Sequence, residues 1–361
     1  MKYFFYLLAL FCFGCGTSTV NNHQHSKRTF IPIKYSKLFG ITETADERQL
    51  FHLNEGDTFW GPAIKKNTAP LKIAVLSTVF AGFIEMLGAQ NQIVAIEKES
   101  YYSDAVIQER IKNKSIVATG EEGQIQLEKL LSQHPDIIVS GSRDLMNSAV
   151  GEKLKKSNIK IVYCDNFREQ HPLARAEWLL YFGAMLNLTE KADSIFKTVT
   201  THYLQIADKA LDSTSTKTKP LIMTDALYGD SWFVPGGNSY TAQLIADAGG
   251  RYVFKNKTPL YTYPLSIEEV LVNAEKADIW IHTNQYASLA MLQTADRRYT
   301  LFKPYKQHTI FNNNKQENAN GGNDFWEIGV GRPDIILEDL YNIFSGDSSR
   351  YQALHYYKQL Q

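Results

Sequence analysis

From Leu71 onward the chain alternates short, wholly apolar runs with stretches of helical period. The runs are Ile73 to Leu76, Ile93 to Ile96, Ile116 to Ala118, Ile137 to Val139 and Ile159 to Tyr163, with helices expected around Phe80 to Leu87 and Leu127 to Ser132. Strands apolar on both faces belong to a mostly parallel sheet covered by helices, because such a sheet is buried on both sides. A long helical stretch follows and is broken near Asn187. Beyond the break, from Thr189 to about Leu211, Ala192, Ile195, Phe196, Val199, Tyr203, Ile206, Ala207 and Ala210 draw one apolar stripe at helical spacing. At about 1.5 Å per residue this helix is a rod of roughly 30 Å, long enough to brace one lobe against another. After the polar stretch Ser213 to Lys219 the same texture resumes. Its runs are Leu221 to Met223, Trp232 to Val234, Tyr252 to Phe254, Ile279 to Ile281 and Thr309 to Phe311, and a helix from Pro333 to Phe344 closes the chain.

Before Leu71 the pattern is short and irregular. Candidate strands lie at Ile31 to Tyr35 and Arg48 to Leu53, with a turn at Gly56-Asp57. The expected fold is therefore α/β. Two lobes, each a mostly parallel sheet flanked by helices, are joined by one long interlobe helix, and a small β appendage precedes them. At 361 residues the chain is long enough to divide its core in this way. The expected plan is a signal peptide over 1–14, a tether over 15–29, the appendage over 30–70, the first lobe over 71–188, the interlobe helix over 189–212 and the second lobe over 213–361.

The first residues set the compartment. Lys2 is followed by the apolar run Tyr3 to Phe13 and then by Gly14-Cys15. About 20 apolar residues are needed to span a bilayer, whereas a secretory segment needs about 7 to 15, so this is read as a signal peptide. A cysteine after a small residue at its end is similar to a bacterial lipobox, in which Cys15 becomes the acylated first residue. Cys12 and Phe13 depart from that motif, which prefers an aliphatic and a small residue there, and ordinary secretion is the alternative. Residues 16–29 are polar and suit a solvated tether. Only Cys164 then remains, in an apolar run, so no intramolecular disulfide is expected.

Charge and composition narrow the function. The 38 basic residues balance 38 acidic ones, which argues against nucleic acid as a partner. Aromatic residues make up 12% of the chain and offer rings for stacking on a large ligand as well as for a core. No phosphate loop, zinc-protease helix, paired-cysteine motif or nucleophile elbow is present, so an enzyme would need a scattered site. The histidines are scattered too, and only His282 ends an apolar run. No resident cofactor or metal is expected. A free Zn or Mn carrier, an envelope enzyme and a surface adhesion protein stay open as alternatives on the residues alone.

The segment Trp232 to Tyr240 runs from a strand through Gly236-Gly237 into a helix capped by Asn238 or Ser239, whose free amides suit a polar ligand group. It belongs with a wider set: Gly123, Leu127 to Leu130 and His134 to Val139 in the first lobe, and Val234 to Tyr240, Asp247 to Gly250, Leu265 to Leu271 and Ala277 to Ile279 in the second. Together these resemble the periplasmic binding proteins of ABC importers for ferric siderophores, haem and cobalamin, over Lys72 to the C-terminal helix. The resemblance implies a monomeric lipoprotein that is not an enzyme. It would bind a metal chelate or corrinoid between its lobes and dock on a permease dimer through one carboxylate per lobe, Glu128 and Glu268. Charge-assisted pairs with permease arginines would fix the register of such docking. Loops after strand ends then offer Phe80, Tyr101, Tyr102 and Arg143 in the first lobe, and Tyr228, Trp232, Tyr240, Tyr263 and Trp326 in the second, as candidate ligand contacts. The appendage and the Asn/Gly-rich loop Asn312 to Asn323 depart from the family pattern.

Overall fold

In the computed structural model, residues 28–361 are described apart from 55–56, 121–123, 144, 146–147, 158, 215–217 and 258–260. The signal peptide, Cys15 and Gly123 lie outside the described residues. The appendage is a four-stranded antiparallel meander of β1 (Thr29–Phe30), β2 (Phe39–Glu43), β3 (Glu47–Asn54) and β4 (Asp57–Lys65). Phe39, Ile41, Leu50 and Ile64 fill its buried face. The stretch expected as a strand at Ile31 to Tyr35 is not one. At its end the amides are held by a side chain: Lys34 N–H donates to Glu177 Oε1, and Tyr35 and the following Ser36 N–H donate to Glu177 Oε2, each at 2.7 Å, while Ile31 N–H donates to the Ile41 carbonyl. Glu177 is 1% exposed, and three backbone donors offset the cost of burying it.

The first lobe contains β5 (Ile73–Leu76), α1 (Thr78–Met86), β6 (Ile93–Ile96), α2 (Ala105–Lys112), β7 (Val117–Ala118), α3 (Leu127–Leu131), β8 (Ile137–Ser140), α4 (Ala149–Lys156) and β9 (Lys160–Tyr163). Its sheet is parallel throughout, in the order β7-β6-β5-β8-β9. Two helices follow, α5 (Pro172–Met185) and α6 (Thr189–Thr214), separated where Asn187 takes a left-handed φ of 59°. Helix α5 is buried on nearly every side. Helix α6 is the expected brace. Ala192, Phe196 and Val199 on its first half join the first core, while Tyr203 and Ile206 on its second half join the second core.

The second lobe contains β10 (Leu221–Thr224), β11 (Leu227–Tyr228), β12 (Ser231–Val234), α7 (Tyr240–Asp247), β13 (Arg251–Tyr252), β14 (Tyr263–Leu265), α8 (Ile267–Ala274), β15 (Ile279–Ile281), α9 (Leu289–Ala295), α10 (Lys303–Gln307), β16 (Ile310–Asn312), α11 (Pro333–Phe344) and β17 (Lys358–Gln359). Its main sheet has the order β13-β10-β15-β16-β17, parallel except for the last strand. The run at Trp232 is not part of that sheet. It pairs with β11 and β14 in a separate antiparallel sheet.

Candidate functional site

In open parallel sheets the residues just past the carboxyl ends of the strands are the ones free to meet a ligand. Here they face a seam between the lobes. Asp165 and Arg168 follow β9 and Trp326 and Glu327 follow β16, while Ser103 comes from the loop before α2 and Tyr240 and Tyr261 from the segments around the antiparallel strands β12 and β14. Several bonds cross the seam. Arg168 Nε donates to the Tyr261 hydroxyl at 2.9 Å, Ser103 N–H donates to Glu327 Oε2 at 2.7 Å, and Asn318 Nδ2 donates to the Tyr102 carbonyl at 3.2 Å. The last of these brings the Asn/Gly-rich loop onto the first lobe. Gly82 packs tightly there, because a Cβ at that position would stand 2.3 Å from the Glu327 carbonyl oxygen.

A hollow of ≈ 210 Å³ opens in the seam, lined by Arg168, Glu169 and Arg175 on one side and by Ser239, Tyr240, Tyr261 and Trp326 on the other. The Arg175 guanidinium lies 4.9 Å from the centre of the Tyr240 ring. Burial pushes the Tyr240 hydroxyl up to about 12 against the pull of Arg175, so it is a neutral donor near pH 7. Ligand sites for drug-sized molecules usually hold about 300–1,000 Å³, so this hollow is smaller than such a site. Larger hollows lie elsewhere among the described residues. One of ≈ 970 Å³ sits where β4 ends, against Pro70, His134 and Asp136, at the amino ends of β5 and β8 and away from the seam. Another of ≈ 590 Å³ lies beside Glu268.

The nine candidate contacts separate into groups. Tyr240 and Trp326 line the seam hollow, with Trp326 48% exposed. Arg143 stands beside it, 4.0 Å from Asp165, which pairs with Arg168 at 3.3 Å. Tyr101 is part-exposed, with the Lys98 ammonium 4.7 Å from its ring, and Gly322 packs against its carbonyl. Tyr263 is half-buried in β14 and its hydroxyl has no hydrogen-bond partner among the described residues. Tyr228 is exposed on the β11–β12 hairpin and lines the hollow beside Glu268 instead. Phe80, Tyr102 and Trp232 are core residues. Phe80 stacks on Phe182, Tyr102 donates to the Val75 carbonyl, and Trp232 donates to the Thr224 carbonyl at 2.9 Å among Trp280, Tyr299 and Phe302. Each is 2% exposed or less, which leaves no face for a ligand.

The glycine turn before α7 also reads differently in three dimensions. Ser239 caps the helix as expected, its hydroxyl accepting from Ala242 N–H. Gly236 and Gly237 N–H, however, already donate to the Tyr261 and Lys257 carbonyls. Gly237 is needed for that approach, since a Cβ would stand 1.9 Å from the Lys255 carbonyl oxygen. His282 accepts or donates at 2.5 Å with the Tyr357 hydroxyl, and burial lowers its pKa to about 4, so it is a neutral ring. No group of three His, Cys, Asp or Glu side chains is placed to hold a metal among the described residues.

At the far side of the seam Glu85 faces Asp104, Glu327 and Asp324. Burial first, and these neighbours second, push Glu85 up to about 8 from 4.5, while burial raises Glu327 to about 7. Both therefore keep protons in the folded chain over a range where the unfolded chain has lost them. The contribution is full below about pH 4.5 and is lost as pH rises through 7 and 8. The melting temperature is expected to fall by several degrees between pH 5.5 and 8.5, and Glu85→Gln with Glu327→Gln should flatten that fall. An unchanged slope in the double variant would place its source elsewhere.

Glu128 is exposed in the first turn of α3, which precedes β8. Glu268 is exposed in the first turn of α8, which precedes β15, and pairs with Arg298 at 2.6 Å. A model of the periplasmic binding protein family matches residues 73–311. The chain belongs to that family. This periplasmic binding protein is thus a substrate-binding component of ABC transport rather than an enzyme. Its fold is similar to that of a periplasmic heme binding protein from Pseudomonas aeruginosa, with 15% identity and a TM-score of 0.60 over 77% of this chain and 94% of that one. A periplasmic binding protein from Veillonella parvula matches at 12% identity and a TM-score of 0.60, over 83% and 98% of the two chains. These likenesses carry the fold. An uncharacterized lipoprotein of Methanocaldococcus jannaschii is 23% identical over 310 residues, 82% of this chain and 70% of that protein.

The sequence did not single out His52, Asp165, Arg168, Arg175, Tyr261 or Glu327. Asp165 carried a usable signal, a charged residue directly after an apolar parallel strand. The others come together only through packing of the lobes.

Proposed function

We propose that this binding protein carries an iron complex, either haem or a ferric siderophore, or a corrinoid, and delivers it to an ABC permease dimer. The observation that supports this most is the seam hollow, where Tyr240 and Trp326 offer rings and Arg168 and Arg175 offer positive charge between the two lobes. Rings suit a planar macrocycle or catecholate, and guanidinium groups suit its anionic substituents. The names of several structural relatives, among them heme-binding proteins from Pseudomonas aeruginosa and Vibrio cholerae, agree with this choice. A lipid anchor at Cys15 fits the lipobox-like run and the lipoprotein name of the Methanocaldococcus jannaschii relative. Tyr101, Arg143 and Tyr263 would border the ligand once the lobes part.

The test is a melting-temperature screen of the purified chain against haem, ferric siderophores and cobalamin, with Zn and Mn salts alongside. A ligand at 100 times its Kd adds about 2.7 kcal/mol of stability, so one class should raise the melting temperature clearly. A response to the bare metal ions alone would replace this reading with that of a free-metal carrier.

A further inference from the structure

The four-stranded N-terminal sheet lies outside the residues matched to the family, yet it reaches the seam. Strand β4 packs against β9 at the edge of the first lobe. His52, on β3 and 2% exposed, donates from Nε2 to Asp165 Oδ1, and Asp165 is fully buried. The other oxygen of that carboxylate serves several groups. The Tyr163 hydroxyl donates to it at 3.3 Å, Arg168 Nη1 stands at 3.3 Å, and Arg143 Nη2 stands at 4.0 Å. Asp165 is thus shared, and Arg168 is also engaged by Tyr261.

Arg143 is left in an unusual position. Its guanidinium lies 5.4 Å from the Phe59 ring of β4 and 5.2 Å from the Tyr163 ring of β9, held between the appendage and the lobe. Its Nη2 is shielded and has no hydrogen-bond partner among the described residues, while the side chain as a whole is 40% exposed. Two guanidinium groups, Arg143 and Arg168, stand against the Asp165 carboxylate here. A guanidinium fixed by rings on two sides has lost little freedom still to lose, and its planar fork matches a carboxylate, phosphate or catecholate.

We propose that the N-terminal sheet is a wall of the ligand site, and that through Phe59 and His52 it holds Arg143 to take an anionic group of the ligand. This rests on the chelate-carrier reading and adds a charge requirement to it. Phe59 is then a positioning residue and Arg143 the group that reads the charge.

Two probe pairs test it on the full chain: haem against haem dimethyl ester, and ferric citrate against a neutral ferric trihydroxamate. The expected result is a preference of at least about tenfold for the anionic member of whichever pair binds. Arg143→Gln should bring that ratio close to one, and Phe59→Ala should cut it about three- to tenfold, the range of a cation–π contact, with the melting temperature unchanged. Hydrogen exchange at the amides of Thr58 to Trp60 should slow when the anionic probe binds. Equal binding of both members by the wild-type chain, or a ratio untouched by Arg143→Gln, overturns the inference and leaves the chelate carrier standing. Binding of neither pair rejects the carrier reading for these classes, and the anion site with it.

Discussion

Trp232→Ala is expected to destabilise the second lobe by about 3–5 kcal/mol, the usual cost of deleting a large buried ring. The indole is fully buried against Trp280, Tyr299 and Phe302, and its Nε1 satisfies the Thr224 carbonyl at the end of β10. Truncation would open a cavity between the antiparallel sheet and the main sheet, and would strand a buried acceptor as well. Chemical denaturation reads this directly. Tyr240→Ala is the contrast, since Tyr240 is only half-buried and lines the seam hollow. It should weaken ligand binding by about 1 kcal/mol or more, with little loss of stability, as expected for a stacked ring. If Trp232→Ala instead melted with the wild type while losing ligand, the indole would be a ligand contact and its packing here would be misassigned.

The second large effect is expected in delivery. Reversing Glu128 and Glu268 together to Lys should abolish uptake in cells while ligand affinity stays within about twofold. Both residues are exposed, and single surface changes usually alter stability by no more than about 0.5 kcal/mol. The Glu268–Arg298 pair is itself largely solvent-exposed, and water and salt screen such pairs, so its loss will not unfold the lobe. Where arginines of a permease meet these carboxylates, the same reversal would set like charges face to face, at a cost of several kcal/mol. Arg298→Ala adds a useful arm, because it frees Glu268 without changing its charge and should leave uptake intact. Wild-type uptake by the double variant at matched protein levels would remove the docking role from both glutamates.

Much of the architecture was legible in the chain because it rests on local repetition. The runs at Ile73 to Leu76, Ile93 to Ile96 and Ile279 to Ile281 form strands with those limits, and the helix at Pro333 to Phe344 does the same. A strand buried on both faces leaves no polar position to blur its ends, and Pro at a helix start sets φ without losing a bond. The stripe beyond Asn187 became α6 for a similar reason, since one apolar face at helical spacing can satisfy two cores in succession. The appendage was harder to read. Ile31 to Tyr35 has the composition of a strand, but the Glu177 carboxyl group, more than 140 residues away in the chain, competes for the amides at its end.

The site divides along the same line. Residue type and position after a strand put Tyr240, Trp326 and Arg143 forward together with Phe80, Tyr102 and Trp232, because an aromatic ring suits a core as well as a ligand. Burial decides between those uses, and burial is a property of the packed lobes. Likewise His52 and Phe59 sit in an irregular segment with nothing local to mark them, and only the docking of β4 on β9 brings them to Asp165 and Arg143. Local periodicity was thus the sequence's own contribution to the fold, and the lipobox-like run its reason to expect a lipid anchor. Which rings and charges meet at the seam was decided by the tertiary structure, because those contacts join residues that no short-range pattern links.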